Sequence, residues 1–383
     1  MENETQRLAG ALHRASAFVA LLSSAEDVCY ATGFEVPPPI DAGAAFAWGP
    51  AVALVSAEGE TKLLVPNAYA ARAEEMSRAD ETVLVATFGH FAEVDGRAEF
   101  LASIRAALLD LGVDRSTALA VDAATLPAAV AEFLDSELGS PLIDLAPIIR
   151  AARLIKTPRE IELLRAAVAA ADAGQAALLD LARPGSNELE VLGQVLTLVD
   201  RRAGQPVPWT GELVSGPRTA ILRYPGGPID REMKAGDTLI FDLSVRFKGY
   251  WADCCNTLAV DGTASEEQLR YFRAARNAFE AAVEQLRPGR RASEVHAAAQ
   301  RELDRHGLQP AHYTGHQLGT TVNEDPRLVP YEQMTLAPGM VFAVEPGAYA
   351  GPDGSTGART EKVVLVTEDD PEILSTFPWG MEG

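Results

Sequence analysis

The triplet Arg-Pro-Gly occurs at 183–185 and again at 287–289, 104 residues apart, and each copy closes one long helical stretch just before another. Pro cannot continue a helix and Gly accepts the backbone that ends one, so the triplet marks a stop. Ahead of the first copy, Thr157, Pro158 and Glu160 read as a capping box with Pro at the first helical position. That helix runs to about Ala182, and the next starts near Ser186. Ahead of the second copy, Ser265 and Gln268 open a helix to Leu286, and its follower runs from Ser293 to near Gly307. β-rich runs come after each helix pair. A repeat of that length predicts two similar α/β layers related by a pseudo-twofold axis, with a cleft between the halves.

The β-rich runs carry acids where apolar strands do not ordinarily hold them. In TLIFDLSVRFKGYWADCCNTLAV, two strands flank a turn candidate at Phe247 to Gly249, and Asp242 and Asp253 are equidistant from a midpoint beside Phe247. An antiparallel hairpin centred there sets the two carboxylates opposite each other on one face, with Cβ atoms about 5 Å apart. Carboxylates that close repel unless a proton or a cation lies between them. His316 in TGHQLG, Glu345 in VFAVEPGAY and Glu361 in GARTEKVVLV follow in order. Taken singly, each has an ordinary reading as a hydrogen-bonded core group or half of a surface pair. Taken together, five oxygen and nitrogen donors in Gly- or Pro-marked motifs point to divalent metal.

These motifs resemble the pita-bread metallopeptidases, which include aminopeptidase P, prolidase, methionine aminopeptidase and creatinase, and the resemblance covers most of the chain. It implies an α/β two-domain fold, with a creatinase/prolidase-like N-terminal α/β domain over residues 1–150 and a pita-bread domain of pseudo-twofold α+β build over 151–383. It implies that Asp242 binds one metal through both oxygens, that Asp253 and Glu361 bridge, and that His316 and Glu345 complete the second metal. Mn²⁺ is the first expectation, with Co²⁺, Fe²⁺ and Zn²⁺ also suited to carboxylates plus one imidazole. Two such ions turn a bridging water into a nucleophile near neutral pH. Glu345 is the expected proton shuttle, His312 binds or polarises substrate, and Arg359 supports the site beside Glu361 and counts among the substrate-binding candidates.

The chain departs from that family in its outer residues. Aminopeptidase P and prolidase relatives carry a His just before a Tyr in the strand entering the site; here SGPRTAILRY sets Arg223 there, and Arg218 stands where Asn is usual. Seven residues after His316 the family has another His, and this chain has Asn323. Neutral His exchanges protons near pH 7, whereas Arg stays charged and only donates. Arg223 therefore stabilises an oxyanion, clamps a substrate carboxylate, or turns away to a local acid such as Asp230. Arg218 and Asn323 join it as substrate-binding candidates. Cys255 and Asn256 replace two polar groups after Asp253, with Cys255 read as a buried thiol or a weak ligand.

With 383 residues, 47% of them apolar, the chain is long enough for two cores. Residues 1 to about 150 alternate β-rich runs, such as the pair around Glu58 and Gly59, with helical stretches such as TLPAAVAEFLDSEL, which suits a mixed sheet. A net charge of −21 argues against nucleic acid and anionic membranes. Three cysteines form no disulfide framework, the polar start reads as no signal peptide, and 42–55 is too short to span a bilayer, so a cytoplasmic protein is expected. A homodimer follows from the resemblance. The expected activity is hydrolysis of an amide bond in a small peptide, Xaa-Pro by family default. Two alternatives stay open: a non-peptide carboxylated amide, cyclic amidine or onium compound as substrate, and a binding module on a retired scaffold.

Overall fold

The computed structural model describes residues 3–38, 46–222 and 226–381. The chain divides into compact units Met1–Thr157 and Pro158–Gly383, so the division falls just after the helix Ala146–Arg153. A cut at 150 would have split that helix.

In the first unit, strands Val19–Leu22, Val52–Ser56 and Thr61–Pro66 pair antiparallel, and Glu81–Val85, Leu119–Val121 and Leu142–Asp144 add in parallel, giving one six-stranded mixed sheet. The hairpin around Glu58 and Gly59 is present, Gly59 having a φ of +92°. Alternate residues of Val19–Leu22 feed two cores: Ala20 and Leu22 pack with Leu8, Leu12 and Tyr30, and Val19 and Leu21 with Phe100 and Ile104. Helices therefore cover both faces, which is why these strands read as unbroken apolar runs.

The second unit repeats itself in three dimensions. Helices Pro158–Leu181 and Glu188–Ala203 precede strands Trp209–Ser215, Thr238–Phe247 and Tyr250–Ala259, a three-stranded antiparallel sheet. Helices Glu266–Gln285 and Ala292–Arg305 precede a five-stranded sheet ordered Glu324–Arg327, Gly315–Gln317, Val341–Val344, Lys362–Leu365, Glu372–Ile373. Equivalent bonds recur: Gly185 N–H donates to Met233 O at 2.8 Å and Gly289 N–H to Leu336 O at 2.9 Å, and bridges Asn187–Glu232 and Arg291–Thr335 follow each triplet. Ser265 and Gln268 form the expected capping box. The first long helix lies close on the hairpin because it has Gly174, where a Cβ would come within 2.8 Å of Leu243 and Val199. Gln175 donates to the carbonyls of Phe241 and Cys254 at 3.1 and 3.0 Å, tying that helix to both Asp-bearing strands.

Candidate metal centre

The hairpin register differs from the expected one. The turn is the two-residue Lys248–Gly249 with φ of +47° and +84°, a tight primed turn that suits Gly, and Phe247 pairs with Tyr250. Asp242 consequently opposes Cys255, and Ser244 opposes Asp253. A shift of two residues keeps both Asp side chains on one face, because strand side chains alternate with period two. They are diagonal neighbours rather than direct ones, and Ser244 Oγ donates to Asp253 Oδ1 at 2.7 Å.

The second half brings its donors to the same place. His316 lies opposite Ala343, and Glu345 follows the strand Val341–Val344, its N–H bonded to Thr314 O at 2.8 Å. Glu361 joins the halves directly: it forms a two-way backbone bridge to Cys255, Glu361 N–H to Cys255 O at 2.9 Å and Cys255 N–H to Glu361 O at 3.3 Å. Ligand atoms of Asp253, His316 and Glu361, all buried, lie within 4.8 Å of one another. His316 Nε2 is 3.2 Å from Glu345 Oε1 and 3.7 Å from Asp253 Oδ2. Its Nδ1 donates to Gln317 O at 2.9 Å, which leaves the Nε2 lone pair for a cation.

Electrostatics of the protein alone are unfavourable here. Burial, then the charge of Asp253, pushes the Asp242 carboxyl well above its ordinary value. Burial, followed by Asp253, Glu345 and Asp242, does the same to Glu361. Asp253 is likewise raised, chiefly by burial. Burial also pushes Glu345 up, but hydrogen bonding to His316 and the charges of His316, His312 and Arg359 outweigh it and hold that carboxyl low. Asp242 Oδ1 and both oxygens of Glu361 are buried with no protein partner. Buried acceptors without donors are costly, and divalent cations bound by oxygen and imidazole satisfy this set.

Four of the expected acids and His316 thus converge, and Asp242 carries a further clamp. Arg359 Nη2 donates to Asp242 Oδ2 at 2.6 Å and to Glu212, and Nη1 donates to Tyr349 Oη at 3.0 Å. All three of these contacts are to side chains of the cluster, so its terminal nitrogens are engaged within it. His312 lines the same cavity; its Nδ1 donates to Tyr313 O at 2.8 Å, its Nε2 has no partner, and burial keeps it neutral by lowering its pKa. The cavity measures about 420 Å³ and is also lined by Asn323, Tyr313 and Arg327. Asn323 donates to Tyr313 Oη at 2.9 Å and accepts from Arg327 Nε at 3.1 Å.

Arg218 corrects the expectation of a substrate contact. It pairs at 2.6 Å with Glu188, a fully buried acid, donates to Gly227 O at 2.7 Å, and is not among the cavity-lining residues. A buried carboxylate left without its cation would be costly, so Glu188 holds this arginine. Arg223 lies outside the described residues. Cys255 is buried with its thiol pushed well up by burial, which leaves it inert as a nucleophile. Glu212, Tyr349 and Arg327 went unread in the sequence: Glu212 was visible only as an acid inside the apolar run of WTGELVS, and Tyr349 only as the end of EPGAY.

Comparison with known proteins places the chain in a family. Residues 162–368 match the Metallopeptidase family M24, and residues 5–155 match the Creatinase/Prolidase N-terminal domain. A "Probable dipeptidase PepE" of Mycobacterium tuberculosis is 34% identical over 237 residues, covering 60% of this chain and 61% of that protein. An "Xaa-Pro dipeptidase" of Pyrococcus furiosus is 30% identical over 230 residues, covering 60% and 65%. The chain thus matches less than two thirds of the length of these curated relatives. Among solved structures, a prolidase from Pyrococcus furiosus superposes with a TM-score of 0.77 at 25% identity over 97% of this chain and 99% of that one. An Xaa-Pro dipeptidase from Bacillus anthracis gives 0.81 at 23% identity over 99% and 98%, which speaks to the fold. No helix among the described residues is long and apolar enough to cross a membrane. With the family model matching more than half its length, the chain belongs to metallopeptidase family M24 and carries a creatinase/prolidase N-terminal domain.

Proposed function

We propose that this protein is a hydrolase dependent on two divalent ions, Mn²⁺ first, that cleaves the amide bond of a small peptide, with Xaa-Pro dipeptides as the first substrates to test. The observation that carries this reading is the set of partnerless buried oxygens on Asp242 and Glu361, with His316 Nε2 3.2 Å from Glu345 Oε1, beside a cavity of about 420 Å³ that Asp242, His316 and Glu345 line. Asp242, Asp253, His316, Glu345 and Glu361 would hold the ions. Bound there, divalent ions polarise a carbonyl and acidify a water. Glu345, held ionised, accepts a proton and passes it to the departing amine. His312, neutral with its proton on Nδ1, accepts at Nε2, and once protonated there it donates to an oxyanion.

Among the described residues that line the cavity, Arg327 is the exposed cation, its guanidinium 5.7 Å from the Tyr313 ring centroid and braced by Asn323. Arg327 suits a substrate carboxylate. Because the Asn323 amide cannot act as an acid or base near neutral pH, a non-peptide carboxylated amide is the second reading. A cytoplasmic homodimer belongs with the first reading, on family resemblance, and sedimentation tests the dimer. Amine release from Xaa-Pro dipeptides by metal-stripped enzyme reloaded with Mn²⁺ is the deciding assay. Turnover that stripping abolishes supports the peptidase, with Arg327→Ala raising KM for carboxylate-bearing substrates; silence across the panel refutes it and turns the search to carboxylated non-peptide amides.

A further inference from the structure

Glu212 lies directly opposite Asp242 on the neighbouring strand and is buried. Side chains so paired share a face of the sheet, with Cβ atoms about 5 Å apart. Gly211 next to it has a φ of +135°, and a Cβ there would come within 2.3 Å of Asp242 O, so the backbone at this point tolerates little change. Arg359 Nη2 donates both to Glu212 and to Asp242 Oδ2. One guanidinium nitrogen therefore lies between two buried carboxylates, while its other amino group goes to the neutral hydroxyl of Tyr349.

Charge decides what this arrangement does. An Arg359–Asp242 pair alone would be neutral and closed, and a divalent ion would compete with the guanidinium for Asp242. A second carboxylate on the same nitrogen leaves the trio net negative and divides the guanidinium's attraction. Asp242 Oδ1, which has no protein partner, then keeps enough negative charge to bind a cation. We propose that Glu212 is a positioning residue of the cation site: it offsets Arg359 so that the guanidinium orients Asp242 without neutralising it. This rests on reading the cluster as a metal centre.

The test is titration of Mn²⁺ into the metal-stripped full-length protein by calorimetry, for wild type, Glu212→Gln and Glu212→Asp. Glu212→Gln keeps size and the acceptor to Arg359 but removes the charge. It is expected to bind the same number of ions with a Kd raised about 10- to 100-fold for one of them, the usual span for changes behind a metal ligand. Glu212→Asp, which keeps the charge, is expected to return most of that affinity. A merely structural Glu212 would lower the thermal midpoint and leave Kd untouched, and an unchanged Kd in folded Glu212→Gln overturns the proposal. Should Glu212→Gln not fold, a Glu212→Asp protein that folds but has lost affinity as far as about tenfold overturns it too. Wild type that binds no Mn²⁺ overturns the metal-centre reading itself, a result distinct from a failure of Glu212 alone.

Discussion

Glu361→Gln is expected to raise the thermal midpoint of the metal-stripped protein and to lower that of the metal-loaded protein. Both carboxylate oxygens of Glu361 are buried and partnerless, and its ligand atom lies within 4.8 Å of that of Asp253. Two charges at about that distance repel by roughly 3 kcal/mol at an effective dielectric of about 20. Proton uptake by the raised carboxyls and attraction to Arg359 offset part of this, so about 1–2 kcal/mol remains when an isosteric amide removes the charge. For a unit the size of Pro158–Gly383, each kcal/mol moves the midpoint by about 2–4 °C. The stripped variant should therefore melt several degrees above stripped wild type. With Mn²⁺ at about a hundred times its Kd, wild type gains about 2.7 kcal/mol that a variant lacking one of the proposed donors largely forfeits, which reverses the order. Calorimetric melting of both proteins in both states at one pH decides the matter. Shifts of the same sign in both states would refute the reasoning.

Other consequences follow from the same geometry. The folded pKa values of Asp242 and Glu361 are raised above 3.8 and 4.5, so their contribution to stability is complete below those values and is lost as pH rises through the raised ones; the stripped protein should gain stability as the pH is lowered through the raised values while the loaded protein does not, and parallel melting curves in the two states would contradict this. Mn²⁺ uptake should release protons, since metal ligands must be deprotonated and the protein alone raises the proton affinity of His316, Asp242 and Glu361; equal heats in buffers of different ionisation enthalpy would count against it. Arg359→Met leaves Asp242 and Glu212 buried without their cation and is expected to cost the stripped protein about 3–5 kcal/mol in denaturant unfolding, a loss under about 1 kcal/mol being the contrary result. His312→Gln should lower kcat by about 10²- to 10⁴-fold with unchanged metal stoichiometry, and an unaltered kcat would remove His312 from the chemistry.

The helix pairs were legible in the chain because their signals are local: Ser265 and Gln268 cap within four residues, and Pro and Gly of each triplet stop the helix they follow. The five candidate donors were chosen because each carries its own motif and the resemblance set their order, and the fold brings Asp253, His316 and Glu361 within 4.8 Å of one another. The hairpin register was not, since it depends on whether the turn takes two residues or three, and Lys248 with Gly249 at positive φ settled on two. The diagonal placement of Asp242 and Asp253 and the Ser244 contact come from that choice. Arg218 shows the same limit: its place where the family has Asn suggested a substrate contact, while its actual partner, the buried Glu188, lies thirty residues earlier at the start of a helix. Glu212 became meaningful only when sheet pairing set it against Asp242 and under Arg359, 147 residues away in the chain. By itself the sequence determined the elements, the repeat and the candidate donors, all of which rest on short-range propensity and motif. Tertiary structure alone decided which charges share a partner, because in a low-dielectric interior that is a matter of distances between residues far apart in the chain.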